Sequence, residues 1–334
     1  MNSTADDEQI ENDTLPGASV ATSLRARGRA AESSRPGRAV NPPRRSVALP
    51  VALPAALPAA LRQRHGAAGA CYPRAMILPL KGRWALVTGA SSGFGEAIAR
   101  RLAAEGCHVA INARRADRLE RLAADLRERH GVETEILAFD VRDRGSVERT
   151  LGAAAELLDR LDILVNNAGL ALALDPVQSG DPADWDQMID TNVKGLLHVT
   201  RACLPGLVRR RGGDVVNIGS VAGHQVYAGG AVYAATKFAV RAISDALRYD
   251  VLGTGVRVIN VEPGLAETEF SLVRFKGDAD RARSVYQGVR PLAAEDVADA
   301  VAWAVTRPAH VNVQQILLMP TDQASAHALH RRTP

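Results

Sequence analysis

The chain has 334 residues, of which 46% are apolar and 23% charged, the balance of a folded globular protein large enough to bury a sizeable core. Its three cysteines, Cys71, Cys107 and Cys203, are scattered without CxxC spacing, which excludes a disulfide framework and a thiolate metal site and favours the cytoplasm. The net charge of +4 comes from residues 1–75, which contain ten arginines and six acidic residues, whereas residues 76–334 have no net charge; this argues against a nucleic-acid role for the folded part. The chain has no apolar run of about 18 residues, which argues against a membrane-spanning role.

The first 75 residues have the composition of a segment that does not fold. They hold eight of the 17 prolines, and one stretch reads VALPVALPAALPAAL. Because proline fixes φ and lacks an N–H, this spacing excludes a regular helix and a sheet ladder, and we predict a disordered tail over 1–75. Two alternatives stay open: an export signal, since Arg44 and Arg45 precede the apolar stretch, and a natural start at Met76 that was misassigned upstream.

From Met76 onward, strand signals alternate with helix signals. The predicted strands are short apolar runs: Trp84–Thr88, Cys107–Asn112, Glu135–Phe139, Asp162–Val165, Asp214–Ile218, Val256–Val261 and Val313–Leu318. The predicted helices lie between them: about Phe94–Glu105, Ala116–His130, Ser146–Leu158, Asp184–Arg210, Ala231–Leu252 and Ala294–Thr306. Strands separated by helices imply a parallel sheet with helices on both faces. We therefore predict one α/β domain over 76–334, doubly wound (Rossmann-type) around a seven-stranded parallel sheet.

A glycine-rich turn, TGASSGFG, joins the first predicted strand to the first predicted helix. Glycine lets the backbone turn sharply and approach a pyrophosphate, and the helix N-terminus offers N–H groups and the positive end of its dipole. Such a turn is weak evidence alone, but its position between strand and helix favours phosphate binding. The residues predicted to hold the cofactor here are Gly89, Ser91, Ser92, Gly93, Phe94 and Gly95.

The choice of cofactor is expected to be read just after the second predicted strand. NAD-binding folds place an acidic residue there to bond the ribose 2′-hydroxyl, whereas this chain has Arg114 and Arg115. Two guanidiniums can grip a 2′-phosphate in paired hydrogen bonds, so we predict NADP rather than NAD. The alternative is that both arginines are solvated residues at a helix start. Asp140 and Val141, after the third strand, are predicted to contact the adenine.

A tyrosine and a lysine four residues apart are the predicted centre of catalysis. Tyr233 and Lys237 lie on one predicted helix, so their side chains share a face. A phenol has a pKa near 10, and the Lys237 ammonium together with an oxidised nicotinamide is expected to lower it until the tyrosine can exchange the proton of a substrate hydroxyl. Ser220 is predicted to fix the substrate oxygen, and Asn192 to hold a water that relays protons from Lys237. Each feature alone is common on protein surfaces, and Tyr227 is a rival phenol without a lysine four residues on.

In this order the motifs resemble the short-chain dehydrogenase/reductase family, from about Arg83 to Met319. The matching pieces are TGASSGFG, NNAG at 166–169, Asn192, Ser220, YAATK at 233–237 and PG at 263–264. The resemblance implies further cofactor contacts from Asn167, Ala168, Gly169, Pro263, Gly264, Leu265 and Thr268.

A narrower resemblance, to the NADP-dependent 3-hydroxy acid dehydrogenases, is carried by GFGEAIARR, NNAGLALAL, MIDTNVKGL, YAGGAVYAATK and EPGLAETEFSLVRFKGD. It implies a small substrate such as serine, allo-threonine, 3-hydroxypropionate or the matching semialdehyde, and a homotetramer. Arg274 or Lys276 would then pair with the substrate carboxylate, the alternative being a basic surface loop. The chain departs from this branch at His224–Val226 and around Glu267, where a stretch is one residue shorter.

These departures leave two other functions open. One is a short-chain reductase of another alcohol or ketone, such as a cyclic or steroidal one. The other is an NADP-binding module without turnover, against which the intact Asn192, Ser220, Tyr233 and Lys237 argue.

Overall fold

The computed structural model of the protein describes residues 79–332. The predictions made for the first 75 residues, including the export signal and the start at Met76, lie outside the described residues. Within 79–332, seven strands form one fully parallel sheet: β1 Trp84–Thr88, β2 His108–Ala113, β3 Thr134–Ala138, β4 Leu161–Asn166, β5 Gly213–Ile218, β6 Val256–Pro263 and β7 Gln315–Leu318. Their order across the sheet is β3-β2-β1-β4-β5-β6-β7, which confirms the predicted fold class.

Helices cover both faces of this sheet. They are α1 Gly93–Ala104, α2 Ala116–His130, α3 Arg144–Ala153, α4 Ala155–Arg160, α5 Pro182–Ile189, α6 Leu196–Arg210, α7 Ala231–Asp250, α8 Phe270–Arg274, α9 Ala279–Ser284 and α10 Ala294–Val305. Side chains alternate along the strands, so β1 sends Ala85 and Val87 into one core, with α1, α2 and α10, and Trp84 and Leu86 into the other, with α3, α4, α6 and α7. Burial on both faces explains why the strands read as continuous apolar runs.

The chain reverses its winding direction at β1, which lies between β2 and β4. In doubly wound sheets the connections diverge at such a point and leave a crevice beyond the carboxyl ends of the strands. The turns that follow β1, β4, β5 and β6 meet at this edge, and they carry most of the predicted site residues.

Several predicted helices differ from those in the structure. The long helix predicted over Asp184–Arg210 begins at Pro182 and is interrupted by a π-helical turn, Asp190–Gly195, between α5 and α6. Within this turn a Cβ on Gly195 would lie 2.7 Å from a methyl of Val141, so this close approach requires glycine. The helix predicted over Ser146–Leu158 is split at its middle into α3 and α4. The short helices α8 and α9 were not predicted, since five or six residues give too little periodicity.

A buried ion pair ties the amino ends of the central strands together. The Asp214 carboxylate at the start of β5 is fully buried and bonds Arg257 Nε at 2.6 Å and Arg83 at 3.0 Å. No helix within 79–332 has the length and apolar character needed to cross a membrane. The described residues also contain no cluster of three or more His, Cys, Asp or Glu side chains placed to hold a metal.

Candidate active site

The glycine-rich turn after β1 forms a cradle that leaves no space for side chains. Gly89 has φ +66°, and a Cβ there would lie 2.9 Å from Ala168 Cα; a Cβ on Gly95 would lie 2.3 Å from the Gly89 oxygen. Thr88 Oγ1 accepts hydrogen bonds from the amides of Asn167 and Ala168, both at 3.0 Å, which joins the turn after β1 to the turn after β4. The backbone at the start of α1 is therefore not covered by side chains, and this arrangement fits the pyrophosphate of a dinucleotide.

The two arginines after β2 lie in different surroundings. The Arg115 guanidinium donates to Ser91 Oγ at 2.9 Å and to Ser92 Oγ at 3.1 Å, so it borders the cradle. Arg114 is mostly exposed and lies 4.0 Å from Asp140, whose carboxylate is bonded more closely by its neighbour Arg142. A cationic edge beside the cradle suits a 2′-phosphate.

A cleft of about 370 Å³ opens at the carboxyl edge of the sheet. The predicted site residues that line it are Gly89, Ser92, Gly93, Phe94, Asn167, Ala168, Gly169, Ser220, Tyr233, Lys237, Pro263, Gly264, Leu265, Thr268 and Arg274. The predicted residues that lie beside it rather than in its wall are Ser91, Gly95, Arg114, Arg115, Asp140, Val141, Asn192 and Lys276.

Three of the four predicted catalytic side chains, Ser220, Tyr233 and Lys237, converge in this cleft. Tyr233 and Lys237 lie one turn apart on α7, both buried, with Lys237 Nζ 5.9 Å from the centre of the Tyr233 ring. Lys237 Nζ donates to the Ile218 carbonyl at 2.8 Å, which fixes the ammonium against the end of β5. Ser220, just after β5, accepts a hydrogen bond from the Ala222 amide at 3.1 Å and lies near enough to Tyr233 to lower its pKa. A substrate oxygen between Ser220 and Tyr233 would therefore meet two hydroxyl groups.

Burial dominates the electrostatics of this trio. It raises the pKa of Tyr233 to about 12, and the nearby Tyr227 acts in the same direction. The Arg274 guanidinium and the Ser220 hydroxyl lower the pKa of Tyr233 but do not outweigh burial. Burial also lowers the pKa of Lys237 to about 8. Charges alone predict a lowered pKa for Tyr233, but desolvation outweighs them, so within the protein's own groups this pKa moves opposite to the predicted direction.

Asn192 lies in the π-helical turn and serves as a brace. Its Oδ1 accepts from the Leu170 amide at 2.9 Å, while its Nδ2 donates to the Leu170 carbonyl at 2.8 Å and to Thr236 Oγ1 at 3.0 Å. Both amide hydrogens are thus engaged within the protein. The side chain holds the loop after β4 against α7, and a water relay at Asn192 stays a prediction.

The two basic residues predicted to bind the substrate lie in different places relative to the cleft. Arg274 lies at the end of α8 with its guanidinium carbon 5.1 Å from the Tyr233 ring centre, and it donates to Tyr227 Oη at 2.7 Å. Its Nε is buried, and no atom of residues 79–332 accepts a hydrogen bond from it. Lys276 instead pairs with Asp184 on α5 at 2.9 Å, outside the cleft wall.

The cleft also contains residues that the sequence argument did not single out. They include Phe270, Tyr286, Gln323, Ala326 and Leu329. The Phe270 ring stacks at a tilt against Tyr233, with centroids 5.7 Å apart. Their positions in sequence carry no motif, because they come from the loops after β6 and β7, whose paths depend on tertiary packing.

Comparisons with known proteins agree with this geometry. The sequence profile of the short chain dehydrogenase family matches residues 83–277. NADP-dependent 3-hydroxy acid dehydrogenase YdfG of Escherichia coli is 49% identical over 242 residues, 72% of this chain and 96% of that protein. Sulfoacetaldehyde reductase 2 of Chromohalobacter salexigens is 50% identical over 248 residues, 74% of this chain and 98% of that protein.

Among solved structures, the closed form of a serine dehydrogenase complexed with NADP+ is similar to this fold. It has a TM-score of 0.69 and 48% identity, covering 75% of this chain and 100% of that one. The fold, the site and these relatives lead to one conclusion: the chain belongs to the short-chain dehydrogenase family.

Proposed function

We propose that the protein interconverts a small 3-hydroxy acid, such as serine, allo-threonine or 3-hydroxypropionate, and the matching carbonyl compound. The enzyme class and cofactor are those of its relatives: the chain is an NADP-dependent oxidoreductase that acts on a CH–OH group, as predicted. The acid specificity is the step beyond this, and one observation carries it.

That observation is the buried Nε of Arg274 beside Tyr233. Burying an N–H of a cationic group costs its hydration free energy, and only a hydrogen-bond acceptor can offset this cost. Among the described residues no acceptor fills this role, although the other end of the guanidinium bonds Tyr227. A substrate carboxylate in the cleft would supply the acceptor and the opposite charge together.

The side chains then divide the chemistry. The cradle after β1 and Arg115 would hold NADP(H), which would supply a hydride to the carbonyl carbon in reduction and accept it in the reverse direction. Tyr233, held as a phenol by burial, donates its proton to the carbonyl oxygen during reduction. Ser220 donates a hydrogen bond to the same oxygen and stabilises the charge that develops on it. Lys237, fixed at the end of β5, returns a proton to Tyr233.

A second candidate substrate class is a short sulfonate. The 50% identical sulfoacetaldehyde reductase acts, by its name, on a sulfonate aldehyde, and a guanidinium pairs with sulfonate oxygens as it does with carboxylate oxygens. Both candidates share a short chain, one carbonyl and one terminal anion.

Assays of NADP+ reduction with L-serine, L-allo-threonine and 3-hydroxypropionate, and of NADPH oxidation with sulfoacetaldehyde, test the proposal. Activity on an anionic compound and none on bulky cyclic or steroidal ketones is expected. Preference for neutral ketones would contradict it. Tyr233→Phe should abolish turnover while NADPH still binds, as followed by nucleotide fluorescence; turnover equal to wild type would exclude the tyrosine as proton donor.

We also propose a homotetramer in the cytoplasm, with the folded domain starting near Met76. Apolar side chains are exposed on two separate parts of the surface, on α6 and α7 and on α10 and β7: Leu197, Phe238, Trp303 and Leu317. Light scattering during gel filtration measures the subunit number, and a monomer would refute the tetramer.

A chain beginning at Met76 is expected to retain full activity, because both cores lie within 79–332.

A further inference from the structure

The segment that follows β7, residues 322–332, folds back over the cleft as a tight hairpin. Gln323 and Leu329 form an antiparallel bridge, and the Ala324 amide donates to the Ala328 carbonyl at 3.0 Å. The His330 amide donates to the Asp322 carbonyl at 2.7 Å, which closes the hairpin at its base. The backbone of this segment is therefore ordered by its own hydrogen bonds.

The hairpin is fastened to the loop after β6, which also carries Arg274. The Asp322 carboxylate accepts from the Arg290 amide at 2.9 Å, and within the hairpin it pairs with Arg332 at 3.0 Å. Gln323 Oε1 accepts from the Leu265 amide at 2.7 Å. Hairpin and loop thus form the outer rim of the cleft together.

A third attachment comes from the tripeptide His224–Val226. Gln225 Oε1 accepts a hydrogen bond from the Ala326 amide at 2.7 Å, in the turn of the hairpin. The preceding His224 places its Nε2 2.8 Å from the fully buried Glu262 carboxylate at the end of β6. The tripeptide is therefore anchored in the sheet on one side and holds the hairpin on the other.

The hairpin presents apolar groups to the cleft that Tyr233 and Arg274 also line. Leu329 and Ala326 are half-buried and form part of its wall. An aliphatic wall has no donor for an anion, so its effect on a substrate is through shape. With the acid group on Arg274 and the oxygen at Tyr233, any further substituent on the reacting carbon needs space elsewhere in the cleft.

We infer that Leu329 and Ala326, positioned by Gln225, are specificity-determining residues that limit the size of the substituent on the reacting carbon. This inference rests on the proposed function for the orientation of the substrate.

Two opposite substitutions at Leu329 test this inference with 3-hydroxypropionate, 3-hydroxybutyrate and 3-hydroxypentanoate. Leu329→Ala is expected to raise kcat/KM for the pentanoate relative to the propionate by roughly tenfold or more, since one methylene in a fitted pocket changes specificity about 10- to 200-fold. Leu329→Trp should lower the same ratio. Leu272→Ala is the matched control, because Leu272 is exposed on α8 and lies outside the cleft wall; its ratio should stay within about twofold of wild type.

The role of Gln225 is tested by Gln225→Ala against Gln225→Glu, which keeps an acceptor oxygen. The alanine variant is expected to shift the ratio in the direction of Leu329→Ala, and the glutamate variant to restore it. NADPH affinity, measured by fluorescence, should be unchanged throughout and verifies folding. Ratios that stay at the wild-type value in both Leu329 variants would overturn the inference.

A failure of the proposed function gives a different pattern. If no hydroxy acid reacts, the same ratio is measured with 2-propanol, 2-butanol and 2-pentanol, and binding of each series to the enzyme–NADPH complex is followed by nucleotide fluorescence. If substitutions at Leu329 change the size limit in the neutral series, the role of Leu329 in specificity is supported and the acid specificity is rejected. If they leave the size limit unchanged in every series, the role of Leu329 is rejected.

Discussion

Replacing Arg274 by methionine separates the anion-binding role from the other contributions of this side chain. Methionine keeps an unbranched stem of similar reach beside the Tyr233 ring but removes the charge and every donor. Because Arg274 lies among the Tyr233, Tyr227 and Phe270 rings, a smaller residue would also leave a cavity and confuse the result.

The contacts of Arg274 determine how large a loss in kcat/KM is expected. One end of the guanidinium is committed to Tyr227 Oη, so the substrate gains mainly the buried Nε of Arg274. One hydrogen bond to a charged group contributes about 1.5–3 kcal/mol, which corresponds to a roughly 10- to 150-fold loss in kcat/KM for an acid substrate.

The assay compares 3-hydroxypropionate with 1,3-propanediol, in which a neutral hydroxymethyl group replaces the carboxylate. Arg274→Met should lower kcat/KM for the acid by the stated factor beyond the loss for the diol, which reflects only the removal of the cation that lowers the pKa of Tyr233. Lys276→Met is the control, since its exposed pair with Asp184 lies outside the cleft wall and should contribute little. Equal losses on acid and diol, or a larger loss in the Lys276 variant, would refute the assignment.

Three further changes probe the cofactor edge, the sheet and the buried lysine. Arg114→Ala combined with Arg115→Ala should weaken NADP+ binding roughly tenfold or more in a fluorescence titration and leave NAD+ binding nearly unchanged; equal losses would exclude recognition of the 2′-phosphate. Asp214→Asn should lower the free energy of unfolding in urea by about 3–5 kcal/mol, because it leaves two guanidiniums without their buried partner; a loss under 1 kcal/mol would contradict this. Folding lowers the pKa of Lys237 from 10.5 to about 8, so between these values the unfolded chain binds more protons and stability rises with pH. Between pH 8 and pH 10.5 the free energy of unfolding of the wild type should rise by about 3 kcal/mol relative to that of Lys237→Met. Parallel curves of unfolding free energy against pH for the two proteins would show that Lys237 is not desolvated.

The elements that the sequence predicted well are those whose pattern is local. α2 occupies Ala116–His130, as its apolar spacing predicts, and β1 occupies Trp84–Thr88 as a run buried on both faces. The cradle and the Tyr233–Lys237 pair were also readable, because glycine spacing and a four-residue separation translate directly into geometry. Local rules therefore suffice for the scaffold and for the placement of the cradle and of this pair of side chains.

The outer half of the site depends on contacts between distant segments. The choice between Arg274 and Lys276 could not be made from SLVRFKGD, since it is decided by Asp184 and Tyr227, roughly 90 and 50 residues earlier in the chain. Leu329 gave no signal either, because its place in the cleft follows from backbone hydrogen bonds of the hairpin. Desolvation, which sets the pKa of Tyr233, is likewise a property of the packed structure alone.

The position of Arg274 leads to a pH effect that distinguishes acid from neutral substrates. Burial raises the pKa of Tyr233 to about 12, and Arg274 is the nearby cation that counteracts it. A bound carboxylate neutralises this cation, so the pKa of Tyr233 should be higher with an acid than with a diol. Oxidation needs the phenolate, and its rate therefore rises with pH through this pKa. The midpoint of the kcat–pH curve for NADP+ reduction should accordingly lie higher with 3-hydroxypropionate than with 1,3-propanediol, and Arg274→Met should raise the midpoint with the diol, because the cation that lowers the pKa of Tyr233 is lost. Coincident midpoints in the wild-type enzyme would mean that the carboxylate does not bind beside Tyr233.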